Sequence, residues 1–318
     1  MEYPMKLHSD IKLFSGTIRA AALKLNINEV FIEKDYWITL VLSHLSKSKY
    51  ATETVFKGGT SLSKGFGLIN RFSEDVDIAI LNENKKSGNE IKTIIRTVEK
   101  GMTKELKEIQ VEGVSSKGSR FRKSVFEYAS ISPKNKDNKL IVEVNSFANP
   151  FPFQPLTIKS FVFDFLVQTG NQKFIEQYDL QPFTLNVLNK EQTLLEKLVS
   201  LIRFSFDENP AESISSKVRH FYDLYFLIND ARCGAFIKSP AFKKQFNEIL
   251  NHDKEIFDVP EGWKTKTVKE SPLADEFDII WKQVKDKYKT ELSALAYTTP
   301  PDEEEIAGSF IELMKLIK

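Results

Sequence analysis

Apolar residues recur at helical spacing through "NEVFIEKDYWITLVLSHLSK", which predicts an amphipathic helix over roughly 28–47. "TETVFKGG" then reads as a short strand stopped at Gly58-Gly59, and "TSLSKGFGLI" as a short helix weakened by Gly65 and Gly67. In "EDVDIAIL" the period changes to two. Val76, Ile78 and Ile80 fall on one face and Asp75, Asp77 and Ala79 on the other, the pattern of a half-buried strand. "NEIKTIIRTVEKGMTKELKEI" predicts a long helix. "SVFEYASI" and "KLIVEVNSF" predict strands, with "KNKDN" between them composed like a hairpin loop. "NPFPFQP" at 149–155 predicts a Pro-rich break, and "FTLNVLN" a further strand. From "KEQTLLEKLVSLIRF" onward the pattern is almost wholly helical, through "SKVRHFYDLYFLIND", "SPAFKKQFNEIL" and "DEEEIAGSFIELMKLI". The fold class expected is α+β: a lobe over 1–188 with a mixed sheet flanked by helices, then a mostly helical lobe over 189–318.

Composition narrows the classes. A chain of 318 residues with 41% hydrophobic content and 25 Phe can bury a sizeable core, which excludes wholesale disorder. Its 45 basic and 44 acidic residues leave a net charge of +1, without the excess of a dedicated duplex binder. A local basic run remains, "SSKGSRFRKSVF", in which Lys117, Arg120, Arg122 and Lys123 alternate with aromatics. It reads either as a nucleic-acid groove or as an ordinary basic strand edge. The lone Cys233 excludes an internal disulfide and a cysteine zinc site. "MEYPMKLHSDIKLFSG" lacks a secretion pattern, and no apolar run approaches the ~20 residues of a membrane span. The expectation is a cytoplasmic monomer with no membrane association.

The chemistry concentrates in "KGGTSLSKGFGLINRFSEDVDIAIL". Gly58 and Gly59 let backbone approach an anion, and the N–H groups of the helix that follows point at it. Thr60 or Ser61 would cap that helix and donate to a phosphate, while Lys64, about a turn further, would reach a triphosphate. The G-x-x-x-x-G-K-[ST] spacing of a Walker A loop is absent, and by themselves these residues also describe a plain capped turn. The acids add to the picture. Asp75 and Asp77 project from one strand face with Cα atoms roughly 6.5 Å apart, and carboxylates so placed repel unless a cation lies between them. Hard oxygen ligands suit Mg²⁺, with Mn²⁺ as a substitute. An EF-hand is excluded, because Ile80 and Lys86 stand where its glycine and glutamate belong. Glu143, in the alternating strand "LIVEVNSF", is the candidate third metal ligand. In the helical half, Leu194, Leu195, Leu198, Leu201 and Ile202 form an apolar stripe with Lys197 beside it. Val218, Phe221, Leu224, Tyr225 and Ile228 form a second stripe, with Arg219 and Asp223 as an i,i+4 pair.

"GGTSLSK…RFSEDVDIAI" resembles the signature of the AbiEii/AbiGii toxin family of nucleotidyltransferases, and "EKDYWIT", "LLEKLVSL" and "RHFYDLY" extend the resemblance over most of 30–230. The resemblance implies a DNA polymerase β-like minimal nucleotidyltransferase core. Gly59, Thr60, Ser61 and Lys64 would hold the triphosphate of an NTP substrate, Asp75 and Asp77 would hold Mg²⁺, and the third acid would fall on Glu143. It further implies that Lys197 reaches across a cleft to the nucleotide. The family helix often carries an acid where this chain has His220, which leaves open whether Asp223 supplies that catalytic group. The activity implied is NMP transfer to an acceptor hydroxyl, the tRNA acceptor end or another RNA. The setting implied is toxin–antitoxin or abortive-infection phage defence, with a cognate antitoxin as partner. A protein acceptor, a non-catalytic NTP-binding regulator, and an interaction protein acting through its helical lobe are the competing readings.

Overall fold

The computed structural model describes residues 5–73, 75–82, 86–131 and 138–318. Glu74 and the "KNKDN" loop, apart from Asn138, lie outside them. Cα proximity divides the chain into two units, Met1–Phe66 with Phe72–Leu188, and Gly67–Arg71 with Asn189–Lys318. Gly67–Arg71, inside the stretch expected as one lobe, therefore belongs to the second unit.

The first unit runs α1 (Ile11–Leu25), α2 (Glu29–Ser46), β1 (Thr54–Lys57), α3 (Gly58–Lys64), β2 (Asp75–Ile80), α4 (Gly88–Met102), β3 (Lys107–Ile109), β4 (Ser116–Lys117), β5 (Phe121–Glu127), β6 (Lys139–Asn145), β7 (Phe153–Ile158), α5 (Phe161–Gln168), α6 (Lys173–Gln177) and β8 (Phe183–Leu188). Its strands form one mixed sheet in the order β3-β5-β6-β2-β1-β8-β7, with β4 added beside β5. β2 lies antiparallel to β1 and parallel to β6, and β5 and β6 pair antiparallel along their whole lengths. Alternation divides the faces. Val76, Ile78, Val142 and Val144 are fully buried on one, while Asp75, Asp77 and Glu143 are half-buried on the other. α4 covers the apolar face: its Glu99, itself buried, accepts from Arg122 and, at 2.6 Å, from Ser124 Oγ.

Two boundaries differ from the sequence expectation. α4 stops at Met102, where Thr103 Oγ1 donates to the Glu99 carbonyl at 2.8 Å, and Lys107–Ile109 pairs with β5 as a strand. The Pro-rich stretch breaks the chain only to Pro152. Pro155 lies within β7, opposite Asn186, and β7 ends the sheet, where a missing N–H costs no required ladder bond.

The second unit is helical: α7 (Lys190–Phe204), α8 (Pro210–Ser215), α9 (Arg219–Asn229), α10 (Ala231–Ile237), α11 (Pro240–Ile256), α12 (Pro272–Asp275), α13 (Phe277–Leu295) and α14 (Glu303–Lys315). The stripe Leu194, Leu195, Leu198, Leu201 and Ile202 is completely buried. On α9 the buried set is Phe221, Tyr222, Asp223, Leu224 and Leu227, rotated from the expected one: Tyr225 and Ile228 are only half-buried. Phe221 packs edge-on to Phe310 and Trp281, with ring centroids 4.9 and 5.2 Å apart. Gly67–Arg71 joins this unit through an Arg71–Ala296 bridge and a 3.0 Å bond from the Tyr297 N–H to the Asn70 carbonyl. Among the described residues no helix is long and apolar enough to cross a membrane.

Candidate active site

β1 ends at Lys57 and the chain turns straight into α3, whose first residue is Gly58 rather than a residue after the glycine pair. Gly58 has φ +79°, and a Cβ there would stand 2.0 Å from Asp77 Oδ2. The space left by the missing side chain is thus where the Asp77 carboxylate sits. Lys57 is the N-cap of α3 and no side chain caps the helix, so its first amides have no side-chain acceptor.

Thr60 and Ser61 do not have the expected capping role. Both are buried; Thr60 Oγ1 donates to the Asp75 carbonyl, and Ser61 Oγ donates to the Gly58 carbonyl at 2.8 Å. They fasten the helix start to β2 and to itself. Lys64 is committed as well: its ammonium meets Asp35 Oδ1 at 2.6 Å and the Lys159 carbonyl. Asp35 Oδ2 accepts from the Phe161 N–H at 2.8 Å, and burial outweighs Lys64 to raise the Asp35 carboxyl above its ordinary range. Two acids of "EKDYWIT" are therefore internal fasteners, Asp35 in this way and Glu33 by accepting from Ser130 Oγ and the Ile131 N–H.

On the polar face of the sheet, Lys57, Asp77, Glu143 and Lys123 fall in register across β1, β2, β6 and β5. Asp75 precedes Asp77 by one full alternation of the strand. Asp77 is pushed up to about 8 by burial first, then by repulsion from Glu143 and Asp75, with Lys57 and Lys123 opposing. Lys123 Nζ lies 3.9 Å from Glu143 Oε2. Among the described residues, no three His, Cys, Asp or Glu side chains are gathered tightly enough to cage an ion by themselves. Asp75, Asp77 and Glu143 form instead an open acidic face whose members feel one another. Of the basic run, Arg122 turns to Glu99 on the far face and Lys117 pairs with Glu108 at 2.5 Å; Arg120 is exposed.

A family model described as "AbiEii: Nucleotidyl transferase AbiEii toxin, Type IV TA system" matches residues 40–309. The chain belongs to this family. It is therefore a nucleotidyltransferase toxin of a type IV toxin–antitoxin system, a membership that implies an NTP as substrate and an antitoxin as partner. Among solved structures it is similar to MenT4, the nucleotidyltransferase toxin Rv2826c from Mycobacterium tuberculosis H37Rv, at 15% identity and a TM-score of 0.36, covering 96% of this chain and 98% of that one. No curated protein matches in sequence.

In the second unit, Asp223 is a hub. Its oxygens take Arg71 Nε at 2.7 Å, Arg71 Nη2 at 2.6 Å and Lys197 Nζ at 2.7 Å, all three side chains being buried. Burial would raise the Asp223 carboxyl, but the two cations outweigh it and hold it well below the usual range. Burial first, then the charge of Lys197, holds the His220 imidazole neutral. The expected Arg219–Asp223 pair does not form; Arg219 pairs with Glu291 at 3.0 Å. Sequence reasoning missed Arg71 and Lys57. Lys57 had a usable signal, a cation directly before the glycine pair; Arg71 had none, because its partner lies 152 residues away.

Proposed function

We propose that this toxin transfers a nucleoside monophosphate from an NTP to an acceptor hydroxyl in a Mg²⁺-dependent reaction, with the acceptor end of tRNA as the acceptor that the family resemblance implies. The observation that carries the reading is the seating of the Asp77 carboxylate against Gly58, at the uncapped start of α3. A cluster of repelling carboxylates and a row of helix amides are thereby adjacent, one suited to a cation and the other to phosphate oxygens.

The donor set fits a hard divalent ion. Asp75, Asp77 and Glu143 would hold it, and an open face leaves ligand positions for substrate phosphates, as Mg²⁺ sites commonly do. The metal would supply charge neutralisation along the triphosphate. Gly58 sets the Asp77 carboxylate beside the first α3 amides, where the phosphates would lie. The acceptor oxygen attacks the α-phosphorus, forming one P–O bond as the bond to the β-bridging oxygen breaks and pyrophosphate departs. A carboxylate of the acidic face takes the hydroxyl proton. Lys64, through Asp35, holds α3 in place. Lys197 and Asp223 are assigned to the reaction by resemblance.

The test is transfer of label from each α-phosphate-labelled NTP, with Mg²⁺, to bulk tRNA and to cell protein. Wild type is expected to label tRNA from one preferred NTP. Asp77→Ala and excess chelator should each abolish transfer, and Lys197→Met should reduce it at least tenfold, the scale of a lost buried charge contact. Label on protein alone would replace the acceptor, and no label from any NTP would sink the reading.

A further inference from the structure

Lys123 stands at the end of the charged row, and its direction is set by strand alternation. Its neighbours on β5, Arg122 and Ser124, both point to the opposite face and bind Glu99. Lys123 is left on the acidic face, opposite Glu143 in register. The pair is loose. At 3.9 Å the ammonium is beyond hydrogen-bond reach of Glu143 Oε2, and the Lys123 side chain keeps 31% of its exposure. The other oxygen of Glu143 is no better held, with Asn145 Nδ2 at 3.5 Å. Glu143 is thus a carboxylate with only weak partners, next to Asp77 on one side and a part-exposed, loosely paired cation on the other. Lys64 and Arg122, by contrast, are held by buried carboxylates.

We infer that Lys123 is an exchangeable counter-ion of the acidic face. It neutralises Glu143 while no divalent cation is present, and turns to the phosphates of the nucleotide once metal and triphosphate occupy the face. This rests on the metal-dependent reading above and adds a residue and a partner change that the reading does not contain. The physical content is a pair of effects with opposite signs. A cation beside a metal ligand competes with the metal, so removing it must strengthen binding of the bare ion. A cation beside bound phosphates stabilises them, so removing it must weaken triphosphate binding at saturating metal.

The experiment measures Mn²⁺ binding by calorimetry, then binding of inorganic triphosphate at saturating Mn²⁺. Triphosphate makes the second measurement independent of the preferred base. Wild type is compared with Lys123→Met, Lys123→Arg and Lys117→Met, the last removing an equal charge whose partner is Glu108. Lys123→Met is expected to bind Mn²⁺ about two- to fivefold more tightly, the size of a part-exposed ion pair, and triphosphate about tenfold more weakly. Lys123→Arg and Lys117→Met should remain near wild type in both. Tighter metal binding cannot arise from misfolding, so the first arm stands even if the variant is less stable. Unchanged Mn²⁺ affinity in Lys123→Met, or equal shifts in Lys117→Met, would overturn the inference while leaving the metal site intact. Failure of wild type itself to bind Mn²⁺ would remove the acidic face as a cation site, and this inference with it.

Discussion

At Gly58 two requirements meet in one residue: a positive φ of +79°, and no room for a Cβ because Asp77 Oδ2 occupies its place at 2.0 Å. Gly67 offers a control, since its φ is +60° and nothing lies within 4 Å of its Cβ position. Both Gly→Ala changes incur the left-handed backbone penalty, about 1–2 kcal/mol. Only Gly58→Ala should also displace the Asp77 carboxylate. Thermal unfolding is expected to show a cost in both variants, whereas NMP transfer should fall at least tenfold in Gly58→Ala and stay near wild type in Gly67→Ala. Equal activity in the two would show that the Gly58–Asp77 approach does not matter to the reaction. The glycine pair, Asp75, Asp77 and Glu143 were legible in the sequence because strand period and turn chemistry are local. The partners of Lys64 and Arg219 were not. A long side chain chooses among charges brought near by tertiary packing, and Asp35 and Glu291 are distant in the chain.

Among the elements, α3 is the one whose placement decides the site, and at seven residues it has little stability of its own. One hold on β2 is the Thr60 hydroxyl on the Asp75 carbonyl. Thr60→Val keeps the shape and removes that bond. The expected result is a loss of about 1 kcal/mol in stability, together with faster amide exchange at Asp75–Asp77. Exchange unchanged there would mean that the strand start is held by other contacts. Element type was readable for α2, β2, β6, β8 and α7, where the apolar period is unbroken. It failed where position in the sheet overrode composition, as at Pro155 in the terminal strand β7, and where a side chain competed with the helix, as at Thr103 after α4.

For the molecule as a whole, the Asp223 hub is the main electrostatic investment of the second unit. Removing its charge leaves Arg71 and Lys197 buried without a full partner, at a cost of about 3–5 kcal/mol. The sign with pH follows from the direction of the shift. A carboxyl held low in the folded state contributes its full stability above the unfolded value of about 3.9, and that contribution is lost as pH falls below it. Urea unfolding of wild type and Asp223→Asn should therefore differ most near neutral pH, and the gap should narrow as pH falls below about 4. A constant gap would mean that folding leaves the Asp223 carboxyl unshifted. No local pattern announced this hub, because the segment that supplies Arg71 precedes α7 and α9 by more than a hundred residues.

That segment also governs how the gene can be divided. Gly67–Arg71 is encoded within the first part of the chain yet groups with the second unit, so a single cut after Leu188 divides the second unit. Severed after Leu188, the C-terminal piece keeps Asp223 and Lys197 but gives up the guanidinium that fills the rest of the hub. The N-terminal piece carries Arg71 without its carboxylate. A break at that seam leaves each piece with half of a buried charge pair whose other half is on the other polypeptide.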